Sequence, residues 1–142
     1  MTVIDLSLED NQLTQAIMDC LFKVHSTMGP GLLESVYEEC LCYELSKRNI
    51  ACERQKTIPL RYEAHVLQQG MKIDLLVSGR VILELKSVET ILPIHKAQLL
   101  TYLKLANLPI GFLVNFNVPL IKNGVQRFVN NHDRSANSAS PR

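Results

Sequence analysis

The chain has 142 residues, of which 46% are hydrophobic and 20% are charged, and its formal net charge is +1. This length and composition indicate one globular domain with a sizeable core, and no apolar run is long enough to span a membrane. A nearly neutral chain lacks the strongly basic surface typical of proteins that grip long nucleic acid, so any such grip must be local, weak or shared across an oligomer. The acidic N-terminus predicts no secretory signal and therefore a cytoplasmic location.

The first third of the chain is predicted to form two helices. Apolar residues recur at helical spacing over residues 10–27, and the Gly-Pro-Gly sequence at 29–31 interrupts that pattern. A second amphipathic helix is expected over residues 32–48. Helical geometry places Glu34 inside its apolar arc, where a carboxylate must be neutralised, paired or bound to a cation, although Glu44 also falls in this arc.

Strand patterns dominate the rest of the chain. The expected strands are residues 52–60, 65–67, 71–77, 81–87, 110–116 and 125–129. A third helix is expected over residues 93–107, with a proline at its favoured first position. Strands mixed with helices for both faces indicate an α/β or α+β sandwich. We expect a single domain over residues 1–131 and a disordered polar tail over residues 132–142.

Two of the predicted strands carry charged residues in apolar company. Asp74 interrupts the first of them, and Glu84 and Lys86 interrupt the second. Charges in such surroundings are costly unless they are paired or bind a metal. An aspartate followed ten residues later by Glu-x-Lys is the spacing expected of a metal-dependent phosphodiesterase core, so nuclease chemistry is the leading hypothesis. The alternative is that Glu84 and Lys86 simply face solvent on a one-sided sheet.

Packing of the apolar residues fixes a register for the hairpin between these two strands. Directly opposed residues of an antiparallel pair share a face. The apolar register opposes Ile73 with Leu85, Leu75 with Leu83, and Val77 with Val81. The same register places Asp74 opposite Glu84, with Lys86 farther along that face. It also requires the connection at residues 78–80 to act as a three-residue loop or to carry a bulge.

The third helix adds a line of polar side chains to the candidates. His95, Gln98 and Tyr102 follow one another at spacings of three and four residues on an otherwise apolar helix. His95 is an outside candidate for proton transfer or a phosphate contact. In the alternative interpretation, Gln98 and Tyr102 satisfy each other or the backbone.

The four cysteines are expected to be free thiols. None belongs to a CxxC pair, and no cysteine or histidine cluster completes a zinc site. Cys20 and Cys40 fall on apolar helical faces, which suits small buried side chains. An iron–sulfur cluster or a disulfide is the alternative.

Basic residues surround the junction between the second helix and the first strand. Arg54 and Lys56 share a strand face and, together with Arg61, are candidates for a small phosphate-binding strip. The alternative is a solvated basic edge that discourages pairing with another sheet.

An ordered set of motifs covers most of the chain. The motifs are GLLESVY at 31–37, IDLLV at 73–77, LELK at 83–86, AQLLTYL at 97–103 and NFN at 115–117. Together they resemble the signature of the GxxExxY proteins, a bacterial and archaeal group within the PD-(D/E)XK nuclease superfamily. The arrangement is similar to the RecB-type branch, with a glutamate on an early helix, Asp and ExK on adjacent strands, and QxxxY on the next helix. One departure is Ile73, where the superfamily's name has proline.

This resemblance implies a restriction-endonuclease-like fold, in which a mixed sheet core is flanked by helices. It also implies a catalytic set, carried over position by position: Glu34, Asp74, Glu84, Lys86, Gln98 and Tyr102. Hard oxygen ligands suit Mg²⁺ or Mn²⁺, which we expect Asp74, Glu84 and Glu34 to hold. The expected function is metal-dependent hydrolysis of nucleic-acid phosphodiester bonds, with DNA favoured over RNA as the partner and with no membrane partner.

The sequence leaves two other function classes open. Nearly neutral charge and the lack of an appended binding domain favour a catalytically silent module that binds nucleic acid or protein on a nuclease fold. The presence of Asp74, Glu84 and Lys86 together argues against it. In the third class, the first helix of an interaction protein mediates formation of a homodimer.

Overall fold

The structure is a computed structural model that describes residues 8–130. The polar tail predicted over residues 132–142 and residues 1–7 of the acidic N-terminal segment lie outside this range. The domain boundary at residue 131 therefore stays a prediction. No helix in the described range is both long enough and apolar enough to cross a membrane.

The helices and strands follow the predicted order, with one additional strand. The helices are α1 (Leu8–Met28), α2 (Glu34–Lys47) and α3 (Pro93–Ala106), and the strands are β1 (Cys52–Ile58), β2 (Arg61–Tyr62), β3 (His65–Val66), β4 (Met71–Val77), β5 (Val81–Lys86), β6 (Ile110–Asn115) and β7 (Val125–Val129). The additional strand is β2, which pairs with β3 in a separate two-stranded hairpin. β1 ends two residues earlier than predicted, because Pro59 has no N–H to donate to a ladder.

The main sheet has five strands in the order β1-β4-β5-β6-β7. β5 and β6 run parallel, with α3 as the crossover between them, and the other neighbours are antiparallel. Helices cover both faces of this mixed sheet. The predicted α+β sandwich is therefore confirmed, and it is consistent with a restriction-endonuclease-like fold.

One face of the sheet packs against α1 and α2. Its core combines residues of both helices with residues of β4, β5 and β6, among them Ile17, Leu41, Leu75, Leu83 and Phe112. Tyr37 stacks on Phe116 with ring centroids 4.0 Å apart, and its hydroxyl donates to Gly29 O at 2.6 Å. Gly29 has a φ of +78°, which favours glycine. These contacts fix the turn between α1 and α2, and they set where α2 begins.

The opposite face packs against α3. Leu99 and Leu103 of this helix form a buried cluster with Ile73, Leu76, Ile82 and Leu113 of the sheet. A Cβ atom at Gly111 of β6 would lie only 2.9 Å from Leu99 Cδ1. The absence of a side chain at this position lets α3 approach the sheet closely.

Candidate active site

The β4–β5 hairpin adopts the predicted register over its inner part. Leu75 opposes Leu83, Leu76 opposes Ile82, and Val77 opposes Val81. The connection at residues 78–80 is a three-residue loop, as expected, and Arg80 N–H donates to Val77 O across it at 3.0 Å. The apolar pattern was therefore sufficient to align these two strands.

The backbone ladder of the hairpin ends at Leu75 and Leu83, and two carboxylates take over beyond it. Leu85 N–H donates to Asp74 Oδ2 at 2.8 Å, and Asp74 N–H donates to Glu84 Oε2 at 3.2 Å. Asp74 and Glu84 are therefore neighbours, although the strand pairing stops before the direct opposition that the register predicted. Each carboxylate accepts a backbone N–H from the strand that carries the other carboxylate. We call this position in the hairpin the ladder break.

The predicted position of Ile73 is wrong. The sequence pattern places it on the apolar face of Leu75 and Leu85, but it packs in the α3 cluster together with Ile82. The alternation of β4 changes at Asp74, because the N–H of that residue bonds to a side-chain oxygen instead of a backbone carbonyl. Strict opposition of Ile73 and Leu85 is lost with the ladder.

The two neighbouring carboxylates differ in burial and share an electrostatic cost. Glu84 is only 7% exposed. Burial, reinforced by the charge of Asp74, raises the pKa of Glu84 to about 7. Burial and then the charge of Glu38 also raise the pKa of Asp74, although the Leu85 N–H and Lys86 oppose this shift. The ladder break therefore concentrates negative charge that the fold only partly compensates.

Two further residues of the predicted site, Lys86 and Tyr102, interact electrostatically with these carboxylates. Lys86, half-buried at the end of β5, lowers the pKa of both Glu84 and Asp74, although burial outweighs its effect. Burial and then the charges of Glu84 and Asp74 raise the pKa of the Tyr102 hydroxyl. α3 therefore brings one phenol close enough to Glu84 and Asp74 to feel their charges.

The other two polar residues of α3 are placed differently. Gln98 is exposed, and its side chain makes no hydrogen bond within residues 8–130. His95 Nδ1 accepts the backbone N–H of Leu92 at 3.0 Å, which caps the first turn of α3. The structure therefore gives His95 a local role in the helix, and it leaves Gln98 as a candidate that reaches solvent.

Glu34 is tied to the end of β5, although the two are far apart in sequence. Its Oε2 accepts the backbone N–H of Ser87 at 3.1 Å. Ser87 directly follows Lys86, so this bond fixes the start of α2 beside the strand that carries Glu84 and Lys86. The sequence placed Glu34 in an apolar arc but did not identify this partner.

Glu38 is a further buried carboxylate of α2, and the sequence interpretation missed it. It is 5% exposed, and it accepts hydrogen bonds from Arg54 Nη2 at 3.2 Å and from Gln55 Nε2 at 2.6 Å. The available signal was its position one helical turn after Glu34, which places both carboxylates on one side of α2.

A cleft of about 300 Å³ connects these elements. Its lining combines the start of α2 with the middle of β1 and the ladder break, and consists of Leu33, Glu34, Ser35, Glu38, Gln55, Asp74 and Leu85. The carboxylates of Glu34, Glu38 and Asp74 therefore open into one space, an arrangement suited to binding a cation. Glu84 and Lys86 are not part of this lining.

The carboxylate oxygens of Glu34, Asp74 and Glu84 are suitable ligands for a hard divalent cation, but they do not converge on one point. In the described part of the chain, no three Asp, Glu, His or Cys side chains stand together as a ready-made metal site. Within residues 8–130, neither Asp74 nor Glu84 forms a salt bridge, and Glu84 Oε1 accepts no hydrogen bond. A buried carboxylate needs compensation, and a bound cation would provide it.

The cysteines contribute no ligands to this cleft. All four are free, as predicted, and burial raises the pKa of each thiol. The thiolate form that binds metals is therefore disfavoured.

The predicted phosphate-binding strip is already engaged with carboxylates. Arg54 pairs with Glu38 at 3.2 Å, and Lys56 pairs with Glu53 at 3.2 Å. Arg61 is exposed in the separate β2–β3 hairpin. Arg54 and Lys56 oppose residues of β4 that lie on different faces of the sheet, so the prediction that they share a strand face is wrong. Phosphate binding by the three residues stays a prediction.

Comparison with known proteins identifies the family. A family model described as the PD-(D/E)XK nuclease superfamily matches residues 11–128, a range that includes every candidate residue named above. No curated protein and no solved structure matches the chain. The family match covers most of the sequence and agrees with the mixed sheet flanked by helices. The chain belongs to the PD-(D/E)XK nuclease superfamily.

Proposed function

We propose that this protein hydrolyses phosphodiester bonds of nucleic acid with Mg²⁺ or Mn²⁺, as a member of the GxxExxY group in the RecB-type branch. The observation that carries the proposal is the ladder break, where Asp74 and Glu84 lie side by side without a salt bridge in residues 8–130. A stable fold gains nothing from two adjacent carboxylates whose charge it only partly compensates. A cation-binding site requires them.

Asp74 and Glu84 are the proposed metal ligands, with Glu34 reaching the ion directly or through a water molecule. When bound, Mg²⁺ or Mn²⁺ supplies Lewis-acid polarisation of a phosphoryl oxygen and lowers the pKa of water. The Ser87 N–H holds one oxygen of Glu34 and leaves the other available. The Leu85 N–H orients Asp74 in the same way.

Lys86 is the proposed electrostatic catalyst. Its ammonium group orients the attacking water and offsets the negative charge that builds on the phosphorus centre during attack. Tyr102 and Gln98 are proposed to position the carboxylates or a phosphate from α3. The influence of Glu84 on the Tyr102 hydroxyl supports this role for Tyr102.

The proposed partner is nucleic acid in the cytoplasm, with DNA favoured over RNA. Arg54, Lys56 and Arg61 are the candidates for phosphate contacts. Because the net charge is only +1, this grip must be local or shared between the two copies of a homodimer. Loss of Arg61 or Lys56 should weaken substrate binding at low salt more than it slows cleavage of bound substrate.

A catalytically silent binding module is the second candidate. The nearly neutral charge and the lack of a preassembled three-ligand cluster in residues 8–130 favour it. The two candidates differ in one measurable property, because only the nuclease needs tight binding of a divalent cation.

The test is a cleavage assay on labelled single-stranded, duplex and branched DNA and on RNA, with Mg²⁺, Mn²⁺ or a chelator. Mn²⁺ binding is measured in parallel by calorimetry. We expect metal-dependent cleavage by the wild-type protein, and we expect Asp74→Ala to lose both cleavage and Mn²⁺ binding. Wild-type protein that cuts none of the substrates and binds no Mn²⁺ would instead support the binding module.

A further inference from the structure

Gln55 has an unusual backbone conformation at the level of the ladder break. Its φ is +49°, in the left-handed region that favours glycine, although it lies in the middle of β1. On either side of it, β1 pairs regularly with β4, since Arg54 opposes Leu75 and Lys56 opposes Ile73. The same register puts Gln55 level with Asp74, and this is the one position between those pairs where no pairing is formed.

The side chain of Gln55 connects two acids that would otherwise repel each other. Its Nε2 donates to Glu38 Oε2 at 2.6 Å and lies 3.5 Å from Asp74 Oδ1, at the long end of the hydrogen-bond range. An amide nitrogen carries two hydrogens, so one Gln55 side chain can serve both carboxylates. Arg54 holds Glu38 from the other side at 3.2 Å, which fixes the first of these two acceptors.

Burial of an apolar side chain does not explain this conformation. Gln55 is exposed, and it belongs to neither buried cluster of the sheet. With this left-handed φ, the Gln55 side chain enters the cleft and places its amide donor between α2 and the ladder break. Backbone strain that aims a polar group in this way is concentrated at functional sites.

We propose that Gln55 is a positioning residue for Asp74, held in place by Glu38, and that its amide donor keeps the Asp74 carboxylate oriented for a divalent cation. This inference rests on the proposed function and extends it to two residues outside the sequence-predicted set. Asp74 then has two orienting donors, the Leu85 N–H on Oδ2 and the Gln55 amide on Oδ1. Glu38 acts through Gln55 and does not itself need to contact the cation.

The decisive experiment exchanges donor and acceptor between positions 38 and 55. Gln55→Glu removes the amide donor and adds a further acid to the cleft. The double variant Gln55→Glu/Glu38→Gln restores the wild-type charge and a hydrogen bond between the two side chains. In that variant, the amide on α2 can donate to the new carboxylate on β1, while the amide oxygen still accepts from Arg54. The exchanged pair, however, presents only carboxylate oxygens to Asp74.

A positioning role predicts that the exchange restores folding but not the site. We expect the double variant to regain the wild-type melting temperature to within a few degrees. Its kcat and its affinity for Mn²⁺, measured by calorimetry, should stay about 10- to 100-fold below wild type, with KM little changed. A purely structural role predicts that kcat and Mn²⁺ affinity return together with stability, and that result would overturn the inference.

A glycine variant separates strain from function. Gln55→Gly suits the left-handed backbone, so it should fold stably, yet its kcat and Mn²⁺ affinity should fall about 10- to 100-fold, as in the double variant. The matched control is Glu63→Gly, since Glu63 has a similar φ of +56° in the exposed turn of the β2–β3 hairpin. This control should keep wild-type kcat and Mn²⁺ affinity.

The outcomes for the inference and for the proposed function can be told apart. Active wild-type protein together with an equally active Gln55→Gly variant overturns the positioning role alone. A wild-type chain that neither cleaves nucleic acid nor binds Mn²⁺ overturns the proposed function, and the positioning role with it.

Discussion

Buried acids lie at both ends of the β4–β5 hairpin, and the two ends treat them differently. At the turn, Asp10 of α1 is 4% exposed and receives both Arg80 Nε at 2.6 Å and Arg80 Nη2 at 2.8 Å. At the ladder break, Glu84 is 7% exposed and lies beside Asp74, and the direct partners of the two carboxylates are N–H groups. The turn of the hairpin therefore pairs Asp10 with a guanidinium. At the other end, Asp74 and Glu84 form no salt bridge within residues 8–130.

The difference teaches how to separate structural acids from functional ones. A carboxylate held by two parallel bonds from arginine has its charge compensated within the fold, and the pair fastens α1 to the hairpin turn. The hydrogen bond to Asp10 correspondingly raises the pKa of Arg80. At the ladder break, burial and mutual repulsion raise the pKa of Glu84 to about 7. Those acids reduce the stability of the apo protein, which is expected where a cation completes the site.

The largest expected effect distinguishes the two basic residues of the hairpin. Lys86→Ala should lower the rate of metal-dependent cleavage by on the order of 100-fold or more, because it removes the electrostatic stabilisation of the transition state. Arg80→Ala, at the opposite end, should keep the wild-type rate per folded molecule. The rates are measured on the best substrate, with the folded fraction of each variant determined by circular dichroism. If both variants lose activity to the same extent, the division between the two ends is wrong.

The second prediction concerns stability at the turn. Arg80→Ala should lower the free energy of unfolding by about 2 to 3 kcal/mol, because the buried Asp10 carboxylate loses both guanidinium bonds. Urea denaturation of the metal-free protein measures this loss. Arg80→Lys, the matched control, keeps the charge but not the paired geometry and should show an intermediate loss. A loss below about 0.5 kcal/mol for Arg80→Ala would place the pair among ordinary surface ion pairs.

Local periodicity was enough to predict most of the fold. β4 and β7 match the predicted segments from end to end, and the predicted helix at 93–107 exceeds α3 by one residue. The hairpin register could be predicted because only one alignment packs Leu75, Leu83 and their neighbours on a common face. These features depend on residues that are close in sequence or strictly alternating.

The rest of the candidate site depends on bonds between distant segments, which periodicity does not encode. Glu34 bonds to the backbone of Ser87, and Glu38 bonds to Gln55, and neither link follows from hydropathy. The position of Ile73 was wrong because side chains replace the backbone ladder at Asp74. A left-handed residue such as Gln55 in the middle of a strand leaves no signal in a pattern of apolar and polar residues.

The third prediction uses pH to expose the uncompensated end of the hairpin. The pKa of Glu84 is about 7 in the folded protein, against a reference value of 4.5, so the folded state binds the proton more tightly than the unfolded state. The stabilising contribution of the protonated form is complete below about pH 4.5 and is lost as the pH rises through 7. Between pH 5 and 7 this change amounts to about 2 kcal/mol for the wild-type protein.

Glu84→Gln is the matched variant, because it has the same shape and no proton to lose. Urea denaturation at pH 5, 6 and 7, with a chelator present, should show the wild-type stability falling relative to the variant across this window. A constant difference between the two proteins would mean that Glu84 ionises normally. The comparison with Asp10 would then lose its electrostatic basis.

The smallest expected effect is the response of stability to Mn²⁺. A ligand that binds only the folded state stabilises it by mass action, so Mn²⁺ at ten times its dissociation constant should add about 1.4 kcal/mol. For a domain of this size, the melting temperature should rise by a few degrees. Asp74→Asn should reduce the rise, because an amide oxygen is a weaker ligand than a carboxylate. The same variant should melt slightly higher than wild type without metal, because it relieves the repulsion with Glu84.

Asp19→Asn makes the same chemical change at an exposed position of α1 and should leave the response to Mn²⁺ intact. Differential scanning calorimetry measures all three proteins with and without millimolar Mn²⁺. An unchanged wild-type melting temperature would show that the two ends of the hairpin do not differ in their affinity for a cation.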